Sequence, residues 1–123
     1  MVATGEAPAA IGPYSQGVIV GNLLFSAGQI PLNPGSMEVD GADIETQSER
    51  VMANLDAVLR AAGTSLNNAV KTTCFLIDLN DFKAFNMIYG RWFGEHKPAR
   101  STVQVSELPR GVLVEVECIA IIP

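Results

Sequence analysis

Histidine occurs once in this chain, as His96, and cysteine twice, as Cys74 and Cys118. Neither cysteine has a Cys-x-x-Cys partner or metal-ligand spacing, so no metal site is expected. Both lie inside β-like runs and read as small buried hydrophobes. His96 falls in a loop with no recognisable Ser or Cys partner and reads as solvated. Nucleophile elbows and phosphate-binding glycine loops are missing too. Nucleotide-dependent transfer and metal hydrolysis therefore have no support.

Positive charge is also scarce. Eight Lys and Arg stand against thirteen Asp and Glu, for a net charge of -5. No basic cluster or basic helix provides the field that drives nucleic-acid binding. No apolar run approaches the ~18 residues of a membrane span, and no charged segment followed by an apolar core marks a signal peptide. The expected location is the cytoplasm, with neither nucleic acid nor membrane as partner. Charged residues make up 17% of the chain, below the usual ~25%, which points to surface buried against other subunits.

What is present is apolar. Hydrophobic residues are 48% of 123 positions, enough for one packed domain over residues 1–123. Residues 1–13, with Gly5, Pro8, Gly12 and Pro13, read as an irregular arm. Gly17 to Val20 and Leu23 to Gln29 form a hairpin across Gly21-Asn22. Asn33-Pro34-Gly35 is turn chemistry, followed by a short extended piece at Met37 to Val39. Asp43 caps a long helix that buries Val51, Leu55, Val58, Leu59 and Ala62 and stops at Gly63. One turn capped by Ser65 leads to a strand over Val70 to Ile77. A second helix spans Asn80 to Phe93, with Phe82, Phe85, Tyr89 and Trp92 as its core stripe. Strands at Ser101 to Ser106 and Val112 to Ile122 flank a turn at Leu108 to Gly111.

The last strand divides by parity. Val114, Val116, Cys118, Ala120 and Ile122 share one apolar face, and Leu113, Glu115, Glu117, Ile119 and Ile121 share the other. Two helices cover only one face of such a sheet. The other needs a partner, because large exposed apolar patches are uncommon on monomers. A homo-oligomer follows, with Glu115 and Glu117 at or near its interface. A carboxylate there, partly screened from water, is suited to general-base work. Arg100, after the rigid Lys97-Pro98 entry, sits at the boundary of loop and strand. Its planar fork suits a carboxylate or phosphate.

Ala10-Ile11-Gly12-Pro13-Tyr14-Ser15-Gln16-Gly17, Ser26-Ala27-Gly28-Gln29-Ile30-Pro31, Asn80-Asp81-Phe82, Pro98-Ala99-Arg100-Ser101 and Val114-Glu115-Val116-Glu117 occur in this order. Together they resemble the RidA/YjgF family of reactive intermediate deaminases, from about Ala7 to Ile122. The resemblance implies an α+β subunit like the chorismate mutase fold, with a mixed β-sheet and two helices packed on one face. It implies a homotrimer with a barrel-like core and clefts between subunits. It also implies cofactor-free hydrolysis of 2-imino acids, such as 2-iminobutanoate and 2-iminopropanoate, to 2-oxo acids and ammonia, which protects pyridoxal-phosphate enzymes. The small 2-imino or 2-oxo acid is then the ligand.

Residue by residue, Arg100 matches the family's carboxylate-binding arginine and Glu115 the carboxylate that holds the attacking water. Tyr14 and Asn86 match cleft residues, and Gly28 a backbone position beside the substrate. Thr102 stands where many members have Cys, acting through its backbone, and Ala27 where many have Ser. Two alternatives remain open: an endoribonuclease or translation inhibitor, as ascribed to some relatives, and a non-catalytic trimer that binds small carboxylates.

Overall fold

The computed structural model describes residues 1–123. Five strands form one mixed sheet: β1 (Gly17–Val20), β2 (Leu23–Ser26), β3 (Ala69–Leu76), β4 (Ala99–Gln104) and β5 (Val114–Ile121), in the order β1-β2-β5-β3-β4. Only β3 and β4 run parallel. A parallel pair needs a crossover, and α2 (Phe82–Phe93) supplies it. The other helix, α1 (Ile44–Ala61), spans the connection from β2 to β3.

Local chemistry explains these boundaries. Gly21 takes φ 61°, the left-handed geometry that a tight β1–β2 hairpin requires. Asp43 accepts from the Thr46 N–H at 2.8 Å and so caps α1. At the other end Gly63 adopts φ 86° and donates to the Arg60 carbonyl, while Thr64 donates to Leu59. These two bonds satisfy carbonyls that the helix leaves open. The turn at Leu66–Asn68 forms without a side-chain cap from Ser65.

The inward sheet face carries Leu24, Cys74, Leu76, Val114, Val116, Cys118 and Ala120, all buried. Against it lie Val51, Met52, Leu55, Val58 and Leu59 of α1, with Phe85, Tyr89 and Phe93 of α2. Each large side chain removed from water contributes about 1.5–3 kcal/mol before the entropy of ordering it. Both thiols sit in this core. Burial pushes Cys74 up to about 11 and Cys118 up to about 12, so both remain neutral and unreactive at ordinary pH.

Several sequence expectations shift. β4 begins at Ala99 rather than Ser101, so Arg100 lies within the strand rather than at its mouth. It ends at Gln104, and β5 starts at Val114, because Arg110 at φ 62° and the turn at Pro109–Gly111 delay the last strand. A 3-10 turn at Leu79–Asp81, capped by Asp78, precedes α2, which starts at Phe82. The buried stripe of α2 is Phe85, Ile88, Tyr89 and Phe93, whereas Phe82 and Trp92 are only partly buried. The Trp92 indole instead donates to Glu49 at 3.1 Å, tying the two helices at their rim. His96 is not free in solvent: it is half-buried, and its Nε2 lies 2.7 Å from the Ala69 carbonyl.

The opposite face is left open by every element of the chain. Val18, Val20 and Phe25 are 45%, 61% and 41% exposed, with Val103 and Ile121 at 43% each. Lys71, Thr73, Phe75, Glu115, Glu117 and Ile119 share this face by register. The parity argument for β5 therefore holds for the whole sheet. No helix of the protein is long and apolar enough to cross a membrane.

Candidate functional site

Strand parity sorts the candidate residues into two groups. On the sheet, Arg100 pairs with Thr72, and Thr72 with Cys118, all on the helix-facing side. Glu115 pairs with Phe75, and Phe75 with Val103, all on the open side. Arg100 and Glu115 of one chain thus point to opposite faces.

The first group centres on Glu115. β2 peels away from β5 after Ser26, whose hydroxyl accepts from the Cys118 N–H at 2.9 Å. The chain rejoins β5 at Gln29, which exchanges backbone hydrogen bonds with Val116 at 2.8 and 3.1 Å. Between them, Gly28 presents bare backbone to the Glu115 carboxylate. A Cβ on Gly28 would overlap the carboxylate oxygen and lie 2.8 Å from its carbon. Glycine here is a spatial requirement of the acid's placement. Burial, and secondarily the charge of Glu117, hold the Glu115 carboxyl above the ordinary carboxylate range. A small cavity joins Gly28 to Tyr14, with Ile30 and Met37 in its wall. The Tyr14 ring is 55% exposed and stands at the end of the arm. Gln16 anchors that arm: its side chain accepts from Thr4 N–H at 2.7 Å and donates to the carbonyl of Pro8 at 2.7 Å.

The second group centres on Arg100. Its Nη1 donates to Asn86 Oδ1 at 2.7 Å. The guanidinium carbon lies 4.8 Å from the centroid of Tyr89 and 5.4 Å from that of Phe82. Phe82, Asn86 and Tyr89 are spaced i, i+4, i+7 and so share one face of α2. The chain's ion pairs, Arg60–Asp56, Arg91–Glu49 and Arg110–Glu38, leave Arg100 without an acid. An arginine steadied by neutral partners keeps its charge and its remaining donors for an external anion. Thr102 lies two residues along β4 on the same face, beside a cavity lined by Leu79, Phe82 and Arg100. Its hydroxyl is buried without a hydrogen-bond partner.

So the structure brings Gly28 together with Glu115, sets Tyr14 in a cavity shared with Gly28, and brings Asn86 and Thr102 together with Arg100. It does not bring the two groups together within one chain. The sequence marks Phe82 and Tyr89 as core only. Their spacing with Asn86 was the signal that they also frame Arg100. Ser26 is committed to the β5 backbone, so its hydroxyl does not replace the one absent at Ala27.

Residues 4–122 match the family described as Endoribonuclease L-PSP. The 2-iminobutanoate/2-iminopropanoate deaminase of Escherichia coli K12 is 48% identical, covering 98% of this chain and 95% of that protein. This chain belongs to the RidA/YjgF family. Names within the family vary: the putative regulator AldR of Lactococcus lactis is 52% identical over 98% of this chain and 95% of its own length. The solved E. coli YjgF gene product superposes with a TM-score of 0.93 at 48% identity, over 98% and 96% of the two chains. E. coli TdcF, solved with bound serine, superposes at 0.94 with 44% identity, over 98% and 97%. The α+β fold expected from the resemblance is the family fold.

Proposed function

We propose that this protein hydrolyses small 2-imino acids, such as 2-iminobutanoate and 2-iminopropanoate, to 2-oxo acids and ammonia. The observation that carries this reading is that one chain holds both an acid-free, pinned arginine and, on the opposite sheet face, a carboxylate raised by burial. The name of the E. coli relative supports it, as does the small amino acid bound by TdcF. Because Arg100 and Glu115 face opposite ways, the complete site needs two chains, which supports the homotrimer as the working form.

The Arg100 fork takes the substrate carboxylate through charge-assisted hydrogen bonds, each about 1.5–3 kcal/mol. This fixes C2 next to a water held by Glu115 of a second subunit. The water oxygen attacks C2, the C=N π electrons move to nitrogen, and Glu115 takes the water's proton. The protonated Glu115 passes that proton to the amine. The carboxylate then relays the hydroxyl proton to the nitrogen, so that ammonia leaves as the C2=O bond forms and Glu115 is again ionised. Free imines hydrolyse unaided, so positioning and one base suffice.

A coupled assay tests the reading. Threonine dehydratase generates 2-iminobutanoate and semicarbazide traps it. Added protein is expected to suppress semicarbazone formation in proportion to its concentration, and Arg100→Ala is expected not to. No suppression by a folded, assembled sample would move the reading to a carboxylate-binding module.

A further inference from the structure

The carboxylate reading leaves one question open: what fixes the plane of the Arg100 fork. Arginine is rotamer-rich, and a single hydrogen bond to Asn86 pins one nitrogen without setting the tilt of the plane. The answer lies beneath it. Tyr89 reaches from α2 so that its ring centroid lies 4.8 Å from the guanidinium carbon. Its hydroxyl and that of Thr72 hydrogen-bond at 2.7 Å in a buried setting. Thr72 is the direct cross-strand neighbour of Arg100. The ring is thus tied at its far end to the residue beside the arginine it supports. Phe85 and Phe93 pack on Tyr89 with centroids at 5.6 and 4.6 Å, which holds the ring along α2. A phenylalanine would fill the same core volume. The hydroxyl pair is a polar expense inside an apolar core, tolerated because it is mutually satisfied.

We propose that Tyr89, locked by Thr72, is a positioning residue that sets the plane of the Arg100 fork and thereby the affinity for planar 2-imino and 2-oxo carboxylates. This rests on the reading that Arg100 grips the substrate carboxylate. Tyr89 itself touches no reacting atom. Its effect falls on carboxylate binding and leaves the water held by Glu115 alone.

The test measures 2-oxobutanoate affinity by calorimetry and imine hydrolysis by steady-state kinetics, with the Arg100 Nε–H resonance as a local reporter. Tyr89→Phe and Thr72→Val keep volume and remove the hydroxyl pair. Each is expected to raise Kd and KM about three- to tenfold with kcat within about twofold, and to broaden the Arg100 resonance. The double variant is expected to be no worse than either single, because both remove one bond. Tyr89→Leu removes the platform and is expected to weaken binding by at least about tenfold. Wild-type affinity in both hydroxyl-deleted variants overturns the proposal, as does a fall in kcat at unchanged KM. If Tyr89→Leu fails to fold, those two shape-preserving variants decide. Arg100→Ala separates the two levels of inference. Wild-type affinity in that variant sinks the carboxylate reading itself, whereas lost affinity there beside normal binding in the Tyr89 and Thr72 variants sinks only the positioning role.

Discussion

Arg100 and Glu115 carry opposite demands. Arg100 is set among uncharged partners, with Asn86 at 2.7 Å and two aromatic faces. Arg100→Ala is expected to lower kcat/KM by about 10²–10⁴, the loss of two charge-assisted hydrogen bonds, while the protein stays folded. Glu115 must be ionised to accept a proton, yet burial and Glu117 oppose its ionisation. Activity is therefore expected to rise with pH through a value above the ordinary carboxylate range, read from a kcat/KM profile. Stability moves the other way. A carboxyl whose folded-state pKa is raised binds its proton more tightly in the folded protein. Its contribution is fully present below the unfolded pKa and is lost as pH rises through the folded one. Glu115→Gln is thus expected to melt higher than wild type at neutral pH, to lose that gain in acid, and to have little turnover. A melting temperature that falls at pH 7 would show that the ionised carboxylate is stabilising.

Elements deliver these residues through register. Gly28 lies where β2 leaves and rejoins β5, and that gap is what lets Glu115 lie against bare backbone. Gly28→Ala is expected to displace the carboxylate and cut turnover more than stability, seen as reduced kcat with a small shift in melting temperature. Gly63→Ala acts at the other extreme of function. At φ 86° it strains the end of α1 by about 1–2 kcal/mol, far from the site, and is expected to lower the melting temperature while leaving kinetics unchanged. Periodicity made most of this legible. The apolar stripe of α1, the hairpin at Gly21-Asn22 and the alternation of β5 all follow from spacing. Boundaries set by turns were less legible. The turn at Leu108 to Gly111 is legible, but the left-handed geometry of Arg110, which delays β5 from Val112 to Val114, is not. The half-buried setting of His96 is not legible because its partner is a backbone carbonyl 27 residues away, a contact that no local pattern encodes.

At the scale of the whole molecule, the decisive fact is that parity on β4 and parity on β5 disagree. Arg100 shares a face with the helices and Glu115 lies on the open face, so in the proposed mechanism one chain holds two half-sites. The open face also carries Val18, Val20, Phe25 and Ile121, apolar surface that assembly would bury. The proposed cyclic trimer would resolve both problems, each interface joining the Arg100 half of one subunit to the Glu115 half of the next. This predicts complementation between two inactive variants. Arg100→Ala and Glu115→Gln, each alone, leave every site defective. Coexpressed in equal amounts and randomly assembled, they form interfaces in which an intact Arg100 meets an intact Glu115. Those interfaces arise at roughly a quarter of positions in the whole population and at roughly one in three within each mixed trimer, so about a quarter of wild-type turnover is expected from the coexpressed sample as a whole. Separately purified variants mixed without subunit exchange should stay inactive, which controls for contaminating activity. Mixed trimers with no turnover, when both parents are assembled and folded, would mean that Arg100 and Glu115 do not meet across an interface, and the proposed mechanism would lose its base.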